Sequence, residues 1–290
     1  MTRISRTSFR VAGALLTGAV LCGTAACTAS KGTSADGSGP EGFHAAPVAA
    51  VQKAVNKGAR LNSASYRLSG KVPGQGSVEG KVSFSLRPRV ADMRMKASVG
   101  GKAHEFSVRL VGGSMYLGGS SVTAAGMDGK HWIRFAMKTK GADALGGMQQ
   151  QADQDPAAQA SLLPQSKDIK KVGTETVDGV RTTHYAGTVD VAELLGRQAP
   201  KSAMDAARRK KAIEQYGQLG VRKLRLDMWI GPDDRTVKFR ERAQAAQGPL
   251  DLTIRFFGVN KPVTVQAPPA SDTVDLAQKL KESGIPPRTS

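Results

Sequence analysis

Strict alternation of apolar and polar residues, repeated in several separate stretches, constrains this chain more than any other feature. Val82, Phe84 and Leu86 alternate with Lys81, Ser83, Ser85 and Arg87. Met93, Met95, Ala97 and Val99 alternate with Asp92, Arg94, Lys96 and Ser98. His104, Phe106, Val108 and Leu110 alternate with Glu105, Ser107 and Arg109. A period of two places every apolar side chain of a strand on one face and leaves the other face wet. That pattern belongs to an antiparallel sheet covered on one side. Met115–Leu117 and Trp132–Phe135 read as two shorter strands of the same sheet.

The alternation returns further along. Val172–Val177 and Val180–Val189 flank Asp178-Gly179, the dipeptide that a tight hairpin prefers. Leu224, Leu226, Met228 and Ile230 line one face of a strand, Gly231-Pro232-Asp233-Asp234 turns the chain, and Val237 and Phe239 answer on the return. Leu252, Ile254 and Phe256 form another one-sided strand, and Pro268-Pro269 ends the sheet. Helices are fewer. Val48, Val51, Val55 and Ala59 share a face at helical spacing and predict a helix over Ala46–Leu61. Ala142–Leu163 predicts short, weakly amphipathic helices broken at Pro156 and Pro164. Asp190–Glu193 has capping-box spacing and Gly196 suits the stop. Pro200–Tyr216 and Val274–Lys281 predict two more helices. The fold class is therefore α+β: one large antiparallel sheet, curling as it twists, with a few helices laid across its apolar face. With no internal repeat and no second linker, residues 43–290 form one domain.

The N-terminus carries an address. Arg3, Arg6 and Arg10 precede an apolar run from Val11 to Cys22, and Gly23-Thr24-Ala25-Ala26-Cys27 closes it with small residues. This is the order of a secretory signal peptide, residues 1–26, and the apolar run falls short of the roughly 20 residues that span a bilayer. The small residues before Cys27 also resemble a bacterial lipobox, which implies a diacylglycerol on Cys27 and cleavage after Ala26. Plain secretion is the alternative. The chain has two Cys, and Cys22 leaves with the signal, so Cys27 has no partner for an internal disulfide; a lipid would occupy it. Two acyl chains hold a protein to a membrane where one is marginal. Residues 28–42, a Gly/Ser/Thr tract, read as a flexible tether reaching about 20 Å. The expected location is the outer face of the cell membrane.

Charge and residue chemistry narrow the function. Lys and Arg exceed Asp and Glu by 18, and removal of residues 1–26 takes three Arg and no acid, leaving +15. Arg208, Arg209, Lys210 and Lys211 are the densest basic patch, worth about 1 kcal/mol per charge near an anionic membrane surface. A solvated helix face is the plainer reading of the same residues. Nucleic acid is a poor partner for an exported chain with 5% aromatic residues. Catalysis finds little support. His44, His104, His131 and His184 lack metal-binding spacing, no Gly-x-Ser-x-Gly elbow is present, and the Gly-rich pieces near Gly74 and Gly118 fit no nucleotide loop. No cofactor or metal is expected. His184 alternates within a strand, where a satisfied core histidine is expected. The face carrying Phe84, Met93, Met95, Phe106, Val108, Met115 and Leu117 either lines a cavity for lipid chains, a role that flexible Met suits, or packs as a filled core.

The chain resembles the LppX/LprG-type lipoproteins, which share the LolA/LolB-like fold. The resemblance runs through Val172-Gly173-Thr174-Glu175-Thr176-Val177, Asp178-Gly179-Val180, Thr182-Thr183-His184-Tyr185 and Gly187-Thr188-Val189-Asp190. It continues in Met228-Trp229-Ile230, Phe257-Gly258-Val259-Asn260-Lys261-Pro262-Val263 and Ala267-Pro268. It implies a half-barrel sheet wrapped on helices, an apolar cavity that carries a lipid or glycolipid, and work beside a membrane exporter. A monomeric, non-enzymatic carrier is the first expectation. A surface adaptor of the same fold with a filled core, bound to a membrane protein or an anionic wall polymer, is the second. A hydrolase is the third.

Overall fold

A computed structural model describes residues 40–120, 129–137, 159–195, 210 and 213–282. Cys27, the tether before residue 40, residues 142–158 and most of the predicted 200–216 helix, with Arg208, Arg209 and Lys211, lie outside the described residues.

Helix α1 (Pro40–Gly58) begins six residues before its predicted start and stops short of Leu61. Its buried stripe is Pro47, Val51, Ala54 and Val55, so the apolar positions recur at helical spacing, while Ala59 stands exposed beyond the end. Six strands follow: β1 (Ser63–Val72), β2 (Gly76–Leu86), β3 (Arg89–Val99), β4 (Lys102–Val111), β5 (Ser114–Gly118) and β6 (Trp132–Ala136). After a 3-10 turn at Leu163–Gln165 come β7 (Lys170–Val177), β8 (Val180–Asp190) and the short helix α2 (Val191–Leu195). Then come β9 (Lys223–Ile230), β10 (Thr236–Ala245), β11 (Gly248–Phe256), β12 (Thr273–Asp275) and helix α3 (Leu276–Glu282).

The strands form one open 12-stranded sheet in the order β12-β6-β5-β4-β3-β2-β1-β11-β10-β9-β8-β7. Hairpins build each half, and β1 against β11 joins them, pairing Tyr66 with Phe256 and Lys71 with Asp251. Every pair is antiparallel except β12 with β6. Val274, expected in a helix, is in that parallel strand, and the helix starts two residues later. Its placement covers the outer edge of β6, whose backbone groups need partners. Arg134 on β6 donates to Asp275 at 2.6 Å and holds the short strand in register. The Asp178-Gly179 turn forms as expected, with φ of 48° and 79°, the left-handed pair that a two-residue hairpin requires. Pro164 falls inside the 3-10 turn rather than ending a helix, since proline is tolerated in a first turn where its missing N–H has no partner to lose.

The main core lies under α1 on the β8–β11 half. Leu224, Leu226, Met228, Phe239 and Leu250 of the sheet meet Val51 and Ala54 of α1, Leu162, Leu163 and Leu194, and Ile213 and Tyr216 of helical residues 213–218. A smaller cluster of Tyr66, Val82 and Ile254 sits beside it, with Phe84, Met93 and Phe256 packed around the edge. The apolar face is therefore filled over one half of the sheet and only partly covered over the other.

Candidate functional site

The seven residues proposed from the sequence share one face of β2–β5. The register places Tyr66, Val82, Met93, Val108, Leu117 and Ile133 directly opposite one another across six strands. Met95 faces Phe106 in the row on one side, and Leu110 faces Met115 in the row on the other. Their environments differ. Leu117 is buried, Phe84, Met93, Met95, Val108 and Met115 are half-buried, and Phe106 keeps 36% of its surface in solvent. Gly80 opposes Met95, and a Cβ there would lie 2.1 Å from the Met95 sulfur. The thioether therefore lies across the glycine, in space that a side chain would take.

Of the seven, Phe84 alone reaches the apolar cleft between α1 and the sheet. Ala54, Val55 and Gly58 of α1 form one wall, and the missing side chain of Gly58 leaves open space there. Tyr66, Phe84, Phe239 and Phe256 form the floor, and the Tyr66 and Phe256 rings meet at 5.6 Å, tilted by 54°. The cleft opens to solvent, and the cavity it encloses is about 70 Å³. Fully enclosing ligand pockets run to about 300–1,000 Å³, so the enclosed part accepts only the end of an acyl chain. The remainder would have to lie along the cleft and the half-exposed face beyond Phe84.

Polar groups gather at one end of this cleft, where Arg235 and Thr236 stand at the start of β10. Lys53 pairs with Asp234 at 2.9 Å and Lys57 donates to the Asp233 carbonyl, tying α1 to the turn between β9 and β10. Burial pushes the Asp233 carboxyl up, but hydrogen bonds from the Arg235 side chain and backbone outweigh it and hold the group below its ordinary range. Tyr66, Phe239, Phe256 and Arg235 are absent from the site expected on sequence alone. Phe239 and Phe256 have a readable signal in their strand alternation, but their meeting with α1 is a tertiary event.

The outer face carries a separate polar cluster. His184, expected in the core, is on this face, stacked on Trp229 with centroids 4.2 Å apart and planes within 8°. The alternation of β8 sends Tyr185, not His184, toward the core. His184 Nε2 lies 2.9 Å from Asp227 Oδ1, and Arg242 donates to Asp227 Oδ2 at 2.6 Å. Trp229 Nε1 donates to Glu175. Asp227 is 2% exposed, so both its oxygens need these partners. A second hollow of about 210 Å³ lies near α2, where Lys167 pairs with Glu193 at 2.8 Å and Asp168 accepts from Thr188 N at 2.6 Å. Among the described residues, no group of three or more His, Cys, Asp and Glu could hold a metal ion. Among them, no helix is long and apolar enough to cross a membrane.

No protein-family model matches the chain. It is similar to an uncharacterized 31.2 kDa protein from the rplA–rplJ intergenic region of Streptomyces griseus, 38% identical over 57% of this chain and 54% of that one. It is also similar to a candidate lipoprotein, SCO4650 of Streptomyces coelicolor, 27% identical over 54% of this chain and 46% of that one. The chain thus spans about half the length of the curated relatives it matches. Among solved structures it resembles LppX of Mycobacterium tuberculosis, with 14% identity, 76% of this chain and 98% of that one covered, and a TM-score of 0.45. It likewise resembles LprF of Mycobacterium bovis, with 17% identity, 79% and 98% covered, and a TM-score of 0.47.

Proposed function

We propose that this chain is an exported lipoprotein, anchored through Cys27 at the outer face of the membrane. Its domain, residues 43–290, takes the apolar chain of a lipid or glycolipid into the cleft beneath α1. The observation that carries this reading is the aromatic floor of Tyr66, Phe84, Phe239 and Phe256, continuous with a half-exposed apolar face instead of a finished core. Burying each methylene contributes about 0.8 kcal/mol, so chain length would be selected loosely. Arg235 and Thr236 at the cleft end are the groups placed to meet a polar headgroup. Arg208, Arg209, Lys210 and Lys211 would add attraction to anionic headgroups; Lys210 is exposed and 3.8 Å from Glu214. A carrier of this kind would hand its cargo to or receive it from a membrane exporter, with no chemistry of its own.

The test is native mass spectrometry of the exported protein carrying Cys27→Ser, before and after solvent extraction. Lipid-mass adducts that extraction removes are the expected result. Met95→Trp and Phe106→Trp should reduce uptake from lipid vesicles while leaving the protein folded. Unchanged uptake in the folded variants would remove these positions from the binding face. The filled core under β8–β11 and the small enclosed volume favour a second reading, an adaptor of the same fold. Protein that carries no lipid, takes none up and still retains a membrane-protein partner would replace the carrier by the adaptor.

A further inference from the structure

The outer face holds an arrangement that neither the cleft nor the anchor uses. Arg94, Lys81, Arg67, Arg255 and Lys238 stand in directly opposed positions on β3, β2, β1, β11 and β10. Five consecutive strands thus each place a cation in one row, and strand spacing sets neighbours about 4.8 Å apart over a span of about 19 Å. Like charges directly opposite one another destabilise a sheet, so such a row works against the fold unless something anionic lies on it. The row is weakly neutralised from within. Arg94 meets Asp92 at 3.2 Å and Arg255 meets Asp178 at 3.5 Å, at exposed sites. Among the described residues no carboxylate pairs with Arg67 or Lys81, which instead lie over the Phe257 ring at 4.7 and 5.6 Å. Lys238 lies over Trp229 at 3.8 Å, and burial, then the Arg255 charge, lowers its pKa.

We propose that this row, from Arg94 to Lys238, binds a linear phosphate polymer lying across the strands. Width selects that ligand over a bilayer. Two residues along β2 and β3 the face changes character: Glu79 and Asp92 occupy the flanking rows. The cations there are already paired, Lys96 with Glu105 at 2.9 Å, Arg240 with Asp251 at 2.7 Å and Arg109 with Asp92 at 3.4 Å. A flat anionic surface would press on those acids as well, whereas a single polymer chain meets the cationic row alone. The aromatic rings select against nucleic acid. Trp229 is 5% exposed and meets His184 and Lys238, so it offers bases no stacking platform, and the half-exposed Phe257 ring already carries Arg67 and Lys81. Arg supplies a planar donor fork that suits phosphate oxygens, and Lys a mobile point charge. The ligand class is therefore a base-free phosphate or polyol-phosphate chain, and its binding does not depend on the cleft.

The test uses the purified full chain carrying Cys27→Ser and inorganic polyphosphate as the probe, titrated at several salt concentrations. Arg67→Ser with Lys81→Ser should weaken binding at least tenfold and lower the log–log salt slope by about 1.4, two contacts at roughly 0.7 each. Its thermal midpoint should stay level or rise, because two opposed like charges are gone. Lys96→Ser with Arg240→Ser removes the same charge from the flanking rows and should change affinity less than threefold. Equal losses in the two double variants would reduce the effect to net charge and overturn the proposal. So would tighter binding to a single-stranded oligonucleotide of equal phosphate number, or to phosphatidylglycerol vesicles, than to polyphosphate. Absence of polyphosphate binding at low salt would overturn it outright.

Discussion

Glu241 opposes Leu226 on one side and Leu252 on the other, so its carboxyl points into the core face of the sheet. It is buried, and the Tyr216 hydroxyl donates to Oε2 at 2.6 Å. Burial raises its pKa from 4.5 to about 7, with the Tyr216 hydrogen bond pulling the other way. The folded protein therefore holds this proton over a range in which the unfolded chain has released it. Stability from this group is fully present below about pH 4.5, falls as pH rises toward 7, and levels off above. At 1.36 kcal/mol per unit the whole change is about 3 kcal/mol. Glu241→Gln keeps the size and an oxygen for Tyr216 but cannot ionise. Urea unfolding of both proteins at pH 5 and pH 8 isolates the effect, since every other titrating group cancels in the double difference. The variant should gain about 2.5 kcal/mol on the wild type between the two pH values, since part of the change already lies below pH 5. Parallel pH profiles would mean that Glu241 is solvated or otherwise compensated, and would refute the reasoning.

Three further substitutions probe other parts of the same geometry. Asp227→Asn removes the charge that Arg242 and His184 share; Arg242 is partly exposed, so the expected loss is about 2 kcal/mol, read as a lowered urea midpoint. Gly179→Ala puts a Cβ at φ 79° in the β7–β8 turn and should cost about 1 kcal/mol by the same measurement, without altering lipid or polyphosphate binding. Gly80→Val should displace the Met95 side chain, destabilise by about 1–3 kcal/mol, and change lipid uptake if the Met95 face is used; a variant as stable as wild type would mean that the thioether has other room.

Much of the sheet is readable because one-sided burial writes itself into a period of two. β3, β4, β8, β9 and β11 carry that pattern openly, and the Asp178-Gly179 turn sits where the pattern pauses. β1 escapes that reading although Ala64, Tyr66 and Leu68 alternate with Ser65, Arg67 and Ser69; its Ser, Gly and Lys content hides three apolar residues. That omission matters, since β1 joins the halves and supplies Tyr66 to the cleft. Val274 reads wrongly as helical because three residues carry no periodicity, and only the free edge of β6 makes them a strand. The basic tetrad at residues 208–211 stands out because it is contiguous in sequence. The basic row from Arg94 to Lys238 does not, because its members come from five strands.

The sequence by itself determined which side of each strand is apolar, where several turns fall, and that the sheet would be antiparallel with one face to cover. Those properties depend on neighbours two to four residues apart. The tertiary structure alone decided the rest: that β1 pairs with β11, that α1 fills one half of the apolar face and leaves the other half-exposed, and that five cations from distant segments fall in line. Register between strands nearly two hundred residues apart is set by backbone hydrogen bonds that are the same for every residue type. Side-chain pattern names the face of a strand, and only the pairing names its neighbour.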